Sequence, residues 1–373
     1  YYYIMYKRFI KILAVLNIVL CFNIESYLKN AENNRFEIIR ALNTVPKDQK
    51  KGMEWLISNM PKEDLKSLSS DFLLTNTNQA YQSWMESKWY NKIPERIFYD
   101  NILPYASLNE KREEWREDFK NLFRPLIKNA NSPSEAAAIL NNTIYKKLNV
   151  IYSTKRPKAD QSPGESIDAG MASCTGLSIL LIDACRSVGV PARFVGTSSW
   201  YNNSGNHSWV EIWDEGWHFT GAAEPVGDSL NVGWFTENAS KAIEGDQKYG
   251  IFAVTWDKNF SSSYFPMDWL PNVKTYHSID VTDRYKIKKI SNSNLIPISI
   301  KILDKKGERI SKEIIVSGPN DYNFTGISKD ESCDLNDHLT LMLPVGKDFT
   351  FFVDDKIKNI KVLNESIIEF NID

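Results

Sequence analysis

Cys174 is the residue around which chemistry can be assembled. It follows a loop of small residues, Asp168-Ala-Gly-Met-Ala-Ser173. It precedes an apolar run, Leu177 to Val188, that stops at Gly189 with Pro191 beyond. That pattern predicts a helix with Cys174 at its start. A thiol there meets the unpaired N–H groups and the positive end of the helix dipole, and both favour the nucleophilic thiolate. A base must lie within reach. Of the four histidines, His207, His218, His277 and His338, the best placed is His207, which opens the strand-like run His207-Ser-Trp-Val-Glu-Ile-Trp213. A two-residue turn at Glu215-Gly216 would oppose Asp214 to Trp217, Val210 to Gly221 and His207 to Glu224. Opposed residues share a face of the sheet, so Glu224 is expected beside His207, orienting its ring. A slip of one residue would turn Glu224 to the other face, and Asp228 is then the acid that remains.

The other thiols read differently. Cys185 lies mid-helix among Leu181, Ala184 and Val188, about 16 Å from Cys174 along the axis, too far for a disulfide. The intervals separating Cys174, Cys185, His207 and His218 are 11, 22 and 11 residues. They do not match zinc-finger spacings, and no cofactor or metal is expected.

These residues need a frame. Residues 30–132 carry apolar residues at helical spacing. Within them Leu108 to Phe123 reads as one charged amphipathic helix with Trp115, Phe119, Leu122 and Phe123 on its buried side. Ser132-Pro-Ser-Glu135 supplies a cap, an early proline and an early acid for a helix to Leu148. Ala192 to Gly196, Trp209 to Trp213 and Trp217 to Ala222 read as strands. Beyond 280, Ile296–Leu303, Lys312–Val316, Leu339–Leu343, Thr350–Val353 and Ile367–Ile372 are short β-rich runs between polar turns, the pattern of a small antiparallel sandwich. The expected division is 1–25, 30–132, 133–272 and 280–373.

At the amino end, Lys7, Arg8 and Lys11 precede an apolar run from Ile12 to Phe22. That is the layout of an export signal, too short to span a bilayer comfortably. The protein is therefore expected outside the cytoplasm (periplasmic, cell-surface or extracellular), with attachment through this segment as the other reading. Composition narrows the class further. The chain has 373 residues, with 45 Lys and Arg against 47 Asp and Glu, so no basic excess points to nucleic acid. Four cysteines are too few for a disulfide scaffold.

Cys174-Thr-Gly, the helix to Gly189-Val-Pro-Ala-Arg193, His207-Ser-Trp-Val-Glu211 and Gly216-Trp217 together resemble the transglutaminase-like superfamily, in a bacterial exported branch. The resemblance implies an α+β fold: a papain-like core, here with a helical amino-terminal region and a carboxy-terminal antiparallel β-sandwich. It implies Cys174 as nucleophile and His207 as general base and acid. The family carries Asp-Pro four residues after the hairpin Trp; here position 221 is Gly, and Glu224-Pro225 follows. The family's tryptophan before the nucleophile has no nearby counterpart, so Asn109 is the candidate second oxyanion donor. The implied activity is cysteine-dependent acyl transfer on amide bonds of proteins or peptides through a thioester, with hydrolysis favoured over transfer to an amine. The alternatives are a catalytically silent binding module and an amidase acting on glycopeptides.

Overall fold

The structure, a computed structural model, describes residues 27–286 and 294–372. The segment read as an export signal lies outside the described residues.

Helices dominate the amino-terminal half: α1 (Arg35–Thr44), α2 (Lys50–Asn59), α3 (Lys62–Ser67), α4 (Ser70–Met85), α5 (Glu95–Asn101), α6 (Arg116–Phe123) and α7 (Pro133–Leu148). Local chemistry sets several of their starts. The Ser69 hydroxyl accepts the Phe72 N–H at the head of α4, and the Ser132 hydroxyl accepts the Glu135 N–H at the head of α7. The helix expected from Leu108 begins only at Arg116. The Glu110 carboxylate accepts the backbone N–H groups of Ser107 (2.5 Å) and Leu108 (2.7 Å), and the Trp115 indole donates to the Tyr105 carbonyl. Those bonds satisfy the backbone as a loop and remove the need for a helix there.

After strand β1 (Ile151–Tyr152) come α8 (Pro163–Ala169), β2 (Met171–Ala172) and α9 (Cys174–Ser187). A capping box between Ser162 and Glu165 starts α8. Helix α9 packs on a six-stranded antiparallel sheet. Its strands are β3 (Ala192–Thr197), β4 (His207–Trp213), β5 (Trp217–Thr220), β6 (Phe252–Val254), β7 (Ser263–Tyr264) and β8 (His277–Asp280), in the order β5-β4-β3-β6-β8-β7. Two short helices, α10 (Thr236–Ser240) and α11 (Thr282–Tyr285), lie beside it.

The boundary expected near residue 132 is not a break in packing. One continuous apolar core runs from Ile38 and Leu56 through Phe98 and Leu140 to Leu180 and Phe194. Two buried arginines collect the carbonyls of the loop at 101–106, and Arg186 ties that loop to α9. Arg186 donates to the carbonyls of Asn101, Pro104, Ala106 and Ala192. Arg116 donates to Asn76 and to the carbonyls of Ile102, Leu103 and Pro104. The end of α9 is pinned as well: Ser83 donates to the Ser187 carbonyl at 2.8 Å and the Trp89 indole to the Gly189 carbonyl at 2.6 Å. Gly189 has φ +82, and a Cβ there would collide with the Ser83 carbonyl oxygen.

The carboxy-terminal unit has its own core, including Ile300, Val316, Leu343, Phe351 and Phe370. One sheet is β12 (Leu339–Pro344), β9 (Leu295–Leu303) and β15 (Ser366–Asn371); the other is β11 (Tyr322–Ile327), β10 (Glu313–Gly318), β13 (Asp348–Val353) and β14 (Lys356–Lys361). Strand β15 pairs parallel to β9, so the sandwich is not wholly antiparallel. Strands β11 and β14 escape a search for apolar runs. Both are edge strands, and β14 reads Lys356-Ile-Lys-Asn-Ile-Lys361, the charged pattern that keeps an edge from pairing with another chain.

Gly189→Ala is expected to destabilise the protein by more than about 2 kcal/mol, because left-handed backbone and a backbone collision act together. Denaturant unfolding measures this. An unchanged midpoint would mean that the α9 terminus is not held as described.

Candidate active site

Helix α9 sets the position of the thiol. Its N-cap is Ser173, whose hydroxyl accepts the Gly176 N–H at 3.2 Å and donates to the Ala159 carbonyl at 2.6 Å. Cys174 is therefore the first helical residue, half-buried, with its own N–H outside the helical ladder. Thr175 and Ser208, the residues following Cys174 and His207, meet hydroxyl to hydroxyl at 3.3 Å and tie α9 to β4. His207 starts β4 opposite Thr197. Its ring is almost wholly buried among Trp234, Phe235, Trp209 and Trp200, with centroids 4.7 to 6.4 Å away.

Two carboxylates flank that ring. Glu224 Oε2 lies 3.3 Å from Nε2, and Asp334 Oδ2 lies 3.5 Å from Nδ1. Sγ of Cys174, a ring nitrogen of His207 and a carboxylate oxygen of Asp334 all lie within 4.8 Å of one another. The carboxylate contacts are ion pairs without the alignment of hydrogen bonds.

Glu224 reaches the ring by a route other than the one the hairpin count gave. Strand β4 opposes β5 as Trp213 to Trp217 and Val210 to Thr220, one residue out from the expected register. The turn holds three residues, Asp214, Glu215 and Gly216, with Glu215 in left-handed conformation at φ 57 and Asp214 N–H donating to the Gly216 carbonyl. The ladder ends at Thr220, and a tight turn closed by Glu224 N–H to the Gly221 carbonyl swings Glu224 in. Position 221, where the resemblance called for Asp, is Gly, and the space beside its Cα is filled by the Glu224 carboxylate. Asp228 is exposed and makes no ion pair with His207. Asn109 is occupied elsewhere: its side-chain amide donates to Asp160, and its oxygen accepts the Trp269 indole at 3.3 Å. Cys185 is fully buried in α9, where burial pushes its thiol up. His218 meets the Asp214 carbonyl and Asn231, and His277 meets Ser261.

Asp334 is the residue that sequence reasoning missed. It lies in the turn between β11 and β12, in the run Asp330-Glu-Ser-Cys-Asp-Leu-Asn-Asp-His338, which reads as polar connection. The density of ligand-type side chains there is its only local signal. Arg309, itself buried, shapes the loop by donating to the carbonyls of Cys333, Asp334 and Asp337. The Leu335 N–H donates to the Tyr152 hydroxyl, and the Asn336 side chain donates to the Asn206 carbonyl at 2.9 Å. Asn336 packs against the face of Gly205, which has φ +131 and no room for a Cβ. Asn336 N–H also donates to Asp334 Oδ1, leaving Oδ2 toward the ring.

Charge follows from this geometry. Burial alone would push the imidazole down. The charges of Glu224 and Asp334 outweigh it and hold His207 well above its ordinary range. For Asp334, burial acts upward, but the His207 charge outweighs it and holds the carboxyl below its ordinary range. Asp337 nearby is pushed up to about 6 by burial, with Lys329 opposing.

Residues 120–222 match the sequence profile of the transglutaminase-like superfamily, so the chain carries a transglutaminase-like core there. Among solved structures it is similar to a protein from Cytophaga hutchinsonii described as a candidate cysteine protease, at 21% identity and a TM-score of 0.27, over 33% of this chain. It is also similar to the red sea bream transglutaminase, at 9% identity and a TM-score of 0.33, over 74% of this chain. The alignments span 42% and 65% of those two chains, less than two thirds of either. No curated protein matches.

The pairing of His207 with Asp334 predicts a pH signature. A raised histidine stabilises fully below its unfolded value of about 6.5 and loses that contribution as pH rises through its folded value. A lowered aspartate stabilises above about 3.9 and loses it as pH falls. The stability deficit of Asp334→Asn against wild type, about 1–3 kcal/mol, is therefore expected to be full between roughly pH 4 and 6.5 and to shrink on either side. Thermal unfolding across pH measures it. A deficit that grows toward alkaline pH would contradict the pairing.

Proposed function

We propose that the protein is a cysteine-dependent acyl-transfer enzyme acting on amide bonds of proteins or peptides, with Cys174 as nucleophile, His207 as proton carrier and Glu224 as the residue that orients the ring. The observation that carries this reading is the half-buried thiol at the head of α9 beside an imidazole whose far nitrogen faces a carboxylate.

The chemistry follows from the placement. The thiolate attacks the amide carbonyl, and charge builds on its oxygen. The Cys174 N–H and the end of the α9 dipole are the donors best placed to stabilise that oxygen. His207 gives a proton to the departing amine as the carbon–nitrogen bond breaks, leaving a thioester on Cys174. The same imidazole then takes a proton from the incoming nucleophile, which cleaves the thioester and frees the thiol. Water as that nucleophile makes a peptidase or amidase; an amine makes a transglutaminase. We favour hydrolysis, because the family's tryptophan before the nucleophile is absent. The carboxylate of Glu224 compensates the imidazolium through both steps. A cleft of about 520 Å³ lies between core and sandwich, lined by Trp234, Glu237, Asn336 and Met342 among others. Trp234 also packs on His207, so one side chain separates this cleft from the imidazole, and neither Cys174 nor His207 lines it. The export-like amino end supports action outside the cytoplasm.

Iodoacetamide labelling against pH, read by peptide mass spectrometry in the presence of a chelator, tests the pair. Cys174 is expected to label much faster than Cys333, and to lose that advantage in His207→Ala. Buried Cys185 is expected to stay unlabelled. Against a peptide amide library, Cys174→Ala is expected to lower kcat/KM by at least about a thousandfold. Ordinary thiol behaviour at Cys174, together with no turnover, would leave only the silent binding module.

A further inference from the structure

Asp334 stands on the unexpected side of the imidazole. A catalytic histidine is oriented by one acid at one ring nitrogen, the place Glu224 takes at Nε2. Asp334 instead faces Nδ1. Thiol sulfur, ring nitrogen and carboxylate oxygen thus converge on one small volume, all within 4.8 Å of one another. Although the ring is buried, Nδ1 has no aligned hydrogen-bond partner.

Thiolate, imidazole and monodentate carboxylate are the ligand types of a four-coordinate zinc site with three protein ligands and one open position. Bonds of roughly 2.0–2.3 Å around one ion would put the three ligand atoms roughly 3.3–3.8 Å apart, so the cluster needs to contract by no more than about 1 Å. The outer contacts also suit a metal. Glu224 behind Nε2 is the carboxylate that commonly backs a ligating histidine. Asp334 Oδ1 is held by Asn336 N–H, which leaves Oδ2 as the free donor. Thiolate and imidazole select against Mg²⁺ and Ca²⁺.

We propose that Cys174, His207 and Asp334 form a binding site for Zn²⁺, with a fourth position open to solvent. Two ligands come from the transglutaminase-like core and one from the sandwich, so the ion staples the loop around Asp334 onto the core and takes the nucleophile out of use. On binding, any proton held on the Cys174 sulfur or on the ligating ring nitrogen leaves to solvent. The proposal uses the residues of the acyl-transfer reading without using its chemistry. Alkylation and turnover in chelator test that reading, and metal spectroscopy tests this one, so either can fail alone.

The experiment titrates the full chain, stripped with chelator, with Co²⁺ and then Zn²⁺. One cobalt per chain is expected, with a near-ultraviolet thiolate-to-cobalt charge-transfer band that Zn²⁺ abolishes. Cys174→Ala should remove the band, whereas Cys333→Ser and Cys185→Ala should keep it. Asp334→Asn, with its fold checked by near-ultraviolet circular dichroism, should weaken zinc at least tenfold. The wild-type band and its loss in Cys174→Ala decide the matter even where Asp334→Asn does not fold. Absence of the band, its survival in Cys174→Ala, or unchanged zinc affinity in a folded Asp334→Asn would overturn the proposal.

Discussion

A buried imidazole can carry a proton only where negative charge is brought to it, and that constraint organises this molecule. His207 lies in a box of four aromatic rings, an environment that by itself favours the neutral form. Two carboxylates reverse that preference, and neither is local. Glu224 arrives through a tight turn after the hairpin, and Asp334 arrives from another core altogether. The ring therefore joins three parts of the chain: strand β4, the segment after β5 and the loop between β11 and β12. The charge on the ring depends on both of the segments brought to it.

Positioning the thiol against that ring is the task of the helical half. Helix α9 is buried almost throughout, with Arg186 and Asp183 among its buried residues. Arg186 is satisfied by carbonyls of the loop at 101–106, and Arg116 by the same loop from the other side. The carbonyls of an irregular segment are thus collected by two guanidinium groups in place of a helical ladder. This is why the amino-terminal helices cannot be regarded as an appended domain. They complete the hydrogen bonding of the helix that presents Cys174.

What could be read from the sequence is what is encoded locally. The head of α9, its stop at Gly189 and Pro191, the Ser132 cap and the run of β4 each depend on a few adjacent residues. The transglutaminase-like core was legible for the same reason. The hairpin count went wrong at Asp214-Glu215-Gly216, because a left-handed Glu215 adds a residue to the turn that no pattern announces. The expected helix over Leu108–Phe123 failed through one side chain, Glu110, whose carboxylate captures two backbone donors. Asp334 was illegible for a different reason. Its partner lies far upstream in another unit, and the contact depends on how Arg309 folds the loop and on the bare face of Gly205. Those are tertiary facts, and side-chain periodicity holds no record of them.

The parallel pairing of β15 with β9 bears on the order in which the molecule is completed. Strand β9 sits at the centre of its sheet, flanked by β12 and β15, and Ile368 and Phe370 of β15 belong to the sandwich core. The first strand of the unit therefore waits for the last before its second edge is paired. Chains emerge from the ribosome at about 5–20 residues per second, amino end first. The transglutaminase-like core can close while the sandwich is still being made. During those seconds Cys174 and His207 stand together without Asp334, so the newborn protein has a barer thiol than the finished one.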